Sequence, residues 1–430
     1  MSPKIIDERG DAHAGGAAAR QSARPGAGAG IIVLLAVAMF INYADRGSLS
    51  IVAPVLKDKL AIDNAQLGVL LSAFFWTYAL SQPIAGALVH RFDVRYVLAA
   101  GLALWAGATA LSGLAQSFAM LLGLRFLVGF GESVIFPANA RIIACMPNDM
   151  RGSANGLISA GMALGPSLGT LAGGLILAHW GWRAVFVALG GLSLLWLPPW
   201  LRVSKVQTPG GDNHADVPTF AEILRQRSLW GASIGHFCGN YPYYLMLTWM
   251  PLFLVKYAHF SLTAMAWIAA GAYAMQSLAS IVGGRMSDRL IRNGADTTYV
   301  RKGFIVTGYV ISATALLLLA VAPGAWILPC IVLDRVGTGL ASPMTFAIGQ
   351  TLGGPAAGGR WIGVQNLIGN LAGVAAPIVT GIAIDATGSF QVAFLIAVAL
   401  MLVGIVCWAF VIEEIEPVAW RSGGLLPAEA

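Results

Sequence analysis

The sequence predicts an all-α integral membrane protein, with twelve transmembrane helices in two pseudo-symmetric six-helix bundles. Three observations carry this. Of the 430 residues, 57% are hydrophobic and only 11% are charged, where a soluble domain runs to about 25% charged. Apolar runs of about 20 residues, the length of helix that crosses a bilayer core, recur from residue 31 to residue 412. The second half of the chain also repeats landmarks of the first. A transmembrane β-barrel is excluded, because its strands would alternate apolar and polar residues in segments of about ten.

The elements follow in order. Residues 1–30 are rich in Ala, Gly and polar side chains and are expected to form a disordered tail. The next apolar run continues as a full span with no cleavage site closing it, so no signal peptide is expected. Spans fall near 31–55, 66–89, 96–115, 119–143, 152–178 and 183–201, giving an N-terminal bundle over 31–201. The one long polar interval, with Pro, Gly and charges, is a linker over 202–228. A C-terminal bundle over 229–412 holds spans near 229–256, 264–288, 302–322, 326–349, 361–385 and 389–412, and a second tail covers 413–430.

Orientation follows from the Lys/Arg bias of the loops. With the N-terminus inside, 19 of the 26 basic residues lie on the cytoplasmic side. Lys57, Lys59, Arg183 and Lys256 lie outside, and Arg46, Arg125 and Arg335 lie within spans. This split places both termini and the linker in the cytoplasm, with the chain multi-pass in the inner (plasma) membrane. The net charge of +6 is thereby explained by loops facing the cytoplasm, and no nucleic-acid partner is expected.

The internal repeat is specific. Gly86 and Arg91 match Gly284 and Arg289 at an offset of 198, Asn155 and Pro166 match Asn366 and Pro377 at 211, and Arg125 and Arg335 differ by 210. Two related halves with a cleft between them imply movement of a cargo across the membrane. The four cysteines (Cys145, Cys238, Cys330, Cys407) form no CxxC or CxxH pair and are expected to pack as small apolar residues. The glycine-rich stretch 161–174 has no preceding strand and no Lys-Ser/Thr after it, so it is a helix-packing stripe and not a nucleotide loop. No nucleophile–base pair and no metal-type His spacing is present, which argues against an enzyme and against a metal site or other cofactor.

The chemistry lies in charges that a membrane helix carries only at a cost of a few kcal/mol. These are Asp45 and Arg46 in span one, Arg125 and Glu132 in span four, and Asp334 and Arg335 in span ten. Arg125 and Glu132 are two helical turns apart, about 10 Å, too far for an easy direct pair. Each is expected to meet Asp45 or Arg46. The first four sum to zero when ionised. A carboxyl withdrawn from water takes up a proton more readily, and the site then turns net positive and admits an anion. Proton and organic anion would bind together, with the proton as the coupling ion. Arg suits the task because its planar guanidinium grips a carboxylate through two hydrogen bonds. A purely structural set of interhelical salt bridges is the competing reading, and for Asp334 and Arg335 a gate or interface pair is the favoured one. Tyr43, Tyr78 and Tyr244 can offer neutral donors to an anion, or anchor span ends at the interface. His236 is expected to be structural.

The segments NYADR in span one, FFWTYALSQPIAG in span two, RFLVGFGESVIFPAN in span four, GNYPYYLMLTWMPLFL in span seven and QNLIGNLAGVAAPIVTG in span eleven resemble the major facilitator superfamily, and within it the anion:cation symporter family of organic-anion and sugar-acid transporters. The resemblance covers residues 30–412. It implies the major facilitator fold, with Asp45 and Glu132 as proton-coupling acids, Arg46 as ligand of the cargo carboxylate and Arg125 as the partner that modulates Glu132. It also implies cargo contacts from Tyr43, Tyr78, Asn240, Tyr244, Asn366 and Asn370, and a cytoplasmic gate braced by Arg91, Asp288 and Arg289. The first gate loop departs from the family pattern, with His90 for the usual Asp and Asp93 for the second Gly. The expected function is proton-coupled import of a small organic carboxylate by alternating access, with exchange or export of an organic anion as the alternative. A membrane receptor without transport is disfavoured by two intact halves. The fold needs only membrane lipid around it, and a monomer is expected.

Overall fold

The computed structural model describes residues 25–144, 148–202, 218–321 and 324–420. The side chains of His90 and Asn155 lie outside what is described. Span one is a pair of helices, α1 (Pro25–Arg46) and α2 (Ser48–Leu60), broken at Gly47 directly after the Asp45–Arg46 pair. Helix α1 starts inside the stretch expected to be tail, and the remainder of that stretch, residues 1–24, lies outside the described residues.

Span two is α3 (Asn64–Arg91), started by a capping box in which Asp63 accepts from Gln66 N and Gln66 reaches back to Asp63 N. Span three is α4 (Val94–Ser112). Span four divides into α5 (Phe118–Glu132), capped by Ser117, and α6 (Ile135–Ala144). Spans five and six run as one continuous assignment, α7 (Asn148–Leu194), interrupted at Gly181, whose φ of +82° is open to glycine. The short α8 (Leu197–Leu201) ends the half.

The described end of the linker folds as α9 (Phe220–Leu224), with a Thr219/Glu222 capping box. That box holds the exposed Glu222 carboxyl below the ordinary carboxylate range, through the Thr219 main-chain N–H first and its hydroxyl second. Spans seven to nine are α10 (Arg227–Leu252, closing in a π-helical turn), α11 (Leu262–Arg292) and α12 (Thr297–Val321). Spans ten and eleven share α13 (Ile327–Thr387), interrupted at Gly354, and span twelve is α14 (Gln391–Val406). Residues beyond α14 lie against the Gly354 turn. Val418 N donates to Leu352 O (2.9 Å), and Trp420 Nε1 donates to Gly353 O (3.3 Å).

Among the described residues, eight helical stretches are long and apolar enough to cross a bilayer. Helices α3 and α10 are not among them. Both carry polar residues in mid-helix, such as Ser81 and Gln82 in α3 and His236 and Asn240 in α10.

Within each half, close backbone approach welds two spans. A Cβ at Gly101 of α4 would fall 2.8 Å from Gly131 O of α5. In the second half, a Cβ at Gly308 of α12 would fall 2.5 Å from Gly337 O of α13. The two glycine pairs occupy equivalent places in the repeat.

Contacts between the halves gather at the end away from the termini. Asn64 and Ala65 at the start of α3 bond to Asp385 near the end of α13. Lys256 pairs with Asp58, and Gly68 packs against Pro377. Deeper in the membrane, Ser167 Oγ donates to Ala270 O (2.9 Å), and the Phe75 and Tyr244 rings meet edge-on at 4.6 Å.

Candidate functional site

The kink at Gly47 puts Asp45 and Arg46 at the end of α1, and being consecutive they point to different neighbours. Asp45 turns to α7, where its Oδ2 accepts from Ser193 Oγ at 2.9 Å, and it is 1% exposed. Arg46 turns to α5. Its Nε and Nη2 both donate to one oxygen of Glu132, Oε2, at 3.2 and 3.1 Å, and Nη2 also reaches Asn42 Oδ1 at 3.1 Å. Three aromatic rings enclose the guanidinium, those of Tyr43, Phe74 and Tyr78, with centroids at 4.6, 5.0 and 5.1 Å. A cation held against ring faces gains electrostatic stabilisation that water would otherwise supply.

This pair is incompletely satisfied. Glu132 is fully buried, yet among the described residues neither its Oε1 nor the neighbouring Asn42 Nδ2 makes a well-formed hydrogen bond. Arg46 commits Nε and Nη2 to these partners, and the Tyr43 and Tyr78 hydroxyls lie beside its guanidinium. Buried polar atoms in folded proteins are almost always paired, so each exception asks for an explanation.

Arg125 was expected to meet an acid of span one directly. It does not. It is 5% exposed, its Nε has no partner, and among the described residues it makes no ion pair. The reason is that Asp45 is taken by Ser193 and Glu132 by Arg46. Arg125 stays within electrostatic reach of both carboxyls.

The second half contributes a neutral polar surface. On α10, His236, Asn240 and Tyr244 recur every four residues and so share a face turned to α13. Asn240 Nδ2 donates to Gly369 O at 3.1 Å and lies 3.1 Å from His236 Nε2. Tyr244 Oη donates to Asn370 Oδ1 at 2.6 Å, and Asn370 Nδ2 donates to Asn366 O at 2.8 Å. Asn366 thus takes part through its main chain. The fully buried amide of this region is Gln365, which donates to Thr345 O (3.0 Å). Tyr43, Tyr78 and Tyr244 all lie within electrostatic reach of Arg46, so span seven of one half faces the charged cluster of the other.

Asp334 and Arg335 form a second buried group, which meets the first at Tyr243: its ring lies 5.8 Å from the Arg335 guanidinium and within electrostatic reach of Arg46. Arg335 Nε and Nη2 donate to Asp334 Oδ2 at 2.9 and 2.6 Å. Ser312 donates to Asp334 Oδ1, and Arg335 Nη1 donates to Gln276 Oε1 at 3.2 Å. Both side chains are fully buried. The expected gate residues Arg91, Asp288 and Arg289 are exposed at the other end of the protein, where Arg91 lies over the Phe92 ring.

Asn42, Phe74 and Ser193 escaped the sequence reading. Asn42 carried a usable signal, since it stands one helical turn before Arg46. Ser193 carried none, since a serine in an apolar helix is ordinary.

Comparison with known proteins agrees with this architecture. The Major Facilitator Superfamily model matches residues 35–373 and 259–427. A probable galactarate/D-glucarate transporter of Bacillus subtilis (strain 168), GudP, is 27% identical over 426 residues, spanning 91% of this chain and 93% of that one. The probable galactarate/D-glucarate transporter GarP of Escherichia coli (strain K12) is 26% identical, spanning 90% of this chain and 95% of that one. Probable anion transporter 4, chloroplastic, of Oryza sativa subsp. japonica is 29% identical over 399 residues, spanning 88% of this chain and 67% of that one. Among solved structures, a bacterial homolog of the human lysosomal transporter Spinster, in an inward-facing and occupied conformation, superposes with a TM-score of 0.76 at 18% identity, spanning 89% of this chain and 96% of that one. Two repeated halves around a membrane-embedded polar site are a general transporter design of which this fold is itself a type example, and the chain belongs to the Major Facilitator Superfamily, as a membrane transporter and not an enzyme.

Proposed function

We propose that the protein is a proton-coupled symporter that imports a small organic carboxylate, a sugar acid in the first instance, by alternating access. The observation that supports this reading is the half-satisfied Arg46–Glu132 pair. One Glu132 oxygen binds Arg46 and the other, beside the Asn42 amide, makes no well-formed hydrogen bond among the described residues, the position a proton would take. Protonation removes the charge that holds the guanidinium. Arg46 can then turn its donors to a cargo carboxylate while remaining inside its aromatic enclosure.

Arg125 supplies a second positive charge that no neighbour cancels at contact distance. With both acids ionised its charge balances the cluster, so a proton taken up by either acid leaves the site net positive and favours an anion in it. Asp45, buried against Ser193, is the second candidate acid. Neutral donors and acceptors around Arg46 (Tyr43, Tyr78, Tyr244) and on the second half (Asn240, Asn370) suit a hydroxylated carbon chain better than an aromatic drug. The names of the bacterial relatives, probable galactarate/D-glucarate transporters, support the same substrate class. The Lys/Arg bias supports an inner-membrane orientation with both termini in the cytoplasm. The cargo and the proton each meet the protein alone, so the reading needs only a monomer and no cofactor.

The test is uptake of labelled D-glucarate and galactarate into proteoliposomes, with and without an imposed pH gradient. Accumulation above equilibrium that needs an acidic exterior is expected. Glu132→Gln, a permanent stand-in for the protonated acid, should retain counterflow and lose uphill accumulation. Normal accumulation by that variant would remove Glu132 from the coupling. Flux insensitive to pH but driven by internal anion would favour the exchanger.

A further inference from the structure

The geometry points to Asp385 as a latch that holds the two halves together at the end away from the termini. An acid in its position is misplaced with respect to its own helix. It stands in the last turn of α13, where the helix dipole is negative and favours cations. Its carboxylate instead caps a helix of the other half. Oδ1 accepts from Asn64 N at 3.2 Å and from Asn64 Nδ2 at 2.6 Å, and Oδ2 accepts from Ala65 N at 2.7 Å. Asn64 and Ala65 are the first two residues of α3, whose main-chain N–H groups have no partner within the helix. Gln66 N, the third, is already taken by Asp63. The chain's own capping box therefore covers two of the four free donors, Asp63 N and Gln66 N, and Asp385 covers the two that remain.

The surrounding contacts fit a seal. Lys57 Nζ donates to Asn64 Oδ1 at 2.7 Å, orienting the amide so that its Nδ2 faces Asp385. A Cβ at Gly381 would fall 2.3 Å from Asn64 O, and one at Gly68 would fall 2.5 Å from Pro377 O. The backbones of α3 and α13 therefore touch across the boundary between the halves. Lys256 and Asp58 pair at the same end, on side chains far more exposed than those of the buried pairs.

Alternating access requires the halves to part at this end during part of the cycle. Asp385 would then lose three donors at once and be left facing the dipole of α13. A group that makes its contacts in one state only shifts the equilibrium toward that state. Asp385 thus acts as a positioning residue for the conformational cycle, biasing the transporter closed on this side. The inference rests on superfamily membership and on the contacts above, and is independent of cargo and of proton coupling.

Leu71 tests it. It stands between Gly68 and Phe75 on the α3 face that meets the second half, below the Asn64–Asp385 contact, and is buried. Leu71→Cys is placed in the full-length protein, in right-side-out membrane vesicles, and its labelling by a membrane-impermeant maleimide is timed. With Asp385 intact, labelling is slow. Asp385→Ala is expected to speed it at least tenfold, Asp385→Asn, which keeps one acceptor oxygen, by an intermediate factor, and Asp385→Glu to restore slow labelling. The native Cys330, fully buried near the same end, should stay unreactive throughout, because opening the halves does not unpack a bundle. Equal Leu71→Cys labelling rates in all four backgrounds, or Cys330 becoming reactive in step with Leu71→Cys, would overturn the latch. If Asp385→Ala fails to fold, the Asn and Glu variants carry the same comparison.

Discussion

The two buried Arg–carboxylate pairs differ in a way that separates cargo chemistry from architecture. In the second half, Asp334 and Arg335 are adjacent on one helix and completed by Ser312 and Gln276. In the first half, Arg46 and Glu132 come from two helices, share one oxygen, and leave the other oxygen and the Asn42 amide nitrogen without a well-formed hydrogen bond among the described residues. A saturated pair has little to offer a guest, because its donors and acceptors are already engaged. An unsaturated pair is costly at rest and gains from any proton or anion that completes it. Incomplete hydrogen bonding in a low-dielectric interior carries high stakes in both directions. The comparison teaches that burial alone does not mark the working charges; the open valence beside them does.

The comparison can be broken most forcefully at Asp334. Asp334→Asn leaves Arg335 buried without a counter-charge, and about 3–5 kcal/mol of stability should disappear, read as a large drop in thermal midpoint in detergent. The paired replacement Asp334→Leu with Arg335→Met should recover most of it, since apolar side chains of similar volume replace such pairs at little cost. Loss of transport in a stably folded double variant would mean that the second pair also handles cargo.

Arg46→Lys should do the opposite. A lysine keeps the charge but loses the planar fork and the ring stacking, so binding of a sugar acid should weaken by about 2 kcal/mol, roughly 30-fold, with the thermal midpoint little changed. Unchanged affinity by isothermal titration would take Arg46 out of the site.

Asn42→Ala should have a smaller effect. It removes one acceptor from the guanidinium, an interaction in the class worth about 1.5 kcal/mol, and should raise KM about tenfold while leaving maximal flux close to normal. A change in maximal flux alone would show that Asn42 acts elsewhere. Ser193→Ala should be the mildest for transport, while costing about 1–3 kcal/mol in stability because the buried Asp45 loses its hydroxyl donor. An effect on uphill accumulation with intact counterflow would show that Asp45, too, carries a coupled proton.

Much of this was legible in the sequence, for physical reasons. Charges within apolar spans are rare enough that Asp45, Arg46, Arg125 and Glu132 stood out by cost alone. The pairing was less accessible. Arg46 and Glu132 lie 86 positions apart, and only the tertiary arrangement, with α1 packed on α7 and its end within side-chain reach of α5, decides that they meet while Arg125 does not. Asp385 was invisible because it lies at a span end, where charged residues are common and carry no penalty. The C-terminal stretch reads as polar tail, yet Val418 and Trp420 find acceptors at Leu352 and Gly353, just before the Gly354 break, a docking that depends on where α13 breaks. Among 52 glycines, composition cannot say which ones let two backbones touch.

Those glycine contacts reach beyond packing. Where α4 meets α5 and α12 meets α13, main chain lies on main chain, and no long side chain stands between them to change rotamer and let one helix slide on the other. Each bundle is therefore stiff against internal shear, and displacement during a turnover concentrates along the single plane dividing the bundles. A methyl group added at Gly131 or Gly337 would act as a wedge: it would spread a rigid block, slow the whole cycle in both directions, and leave the preference for one cargo over another as it was.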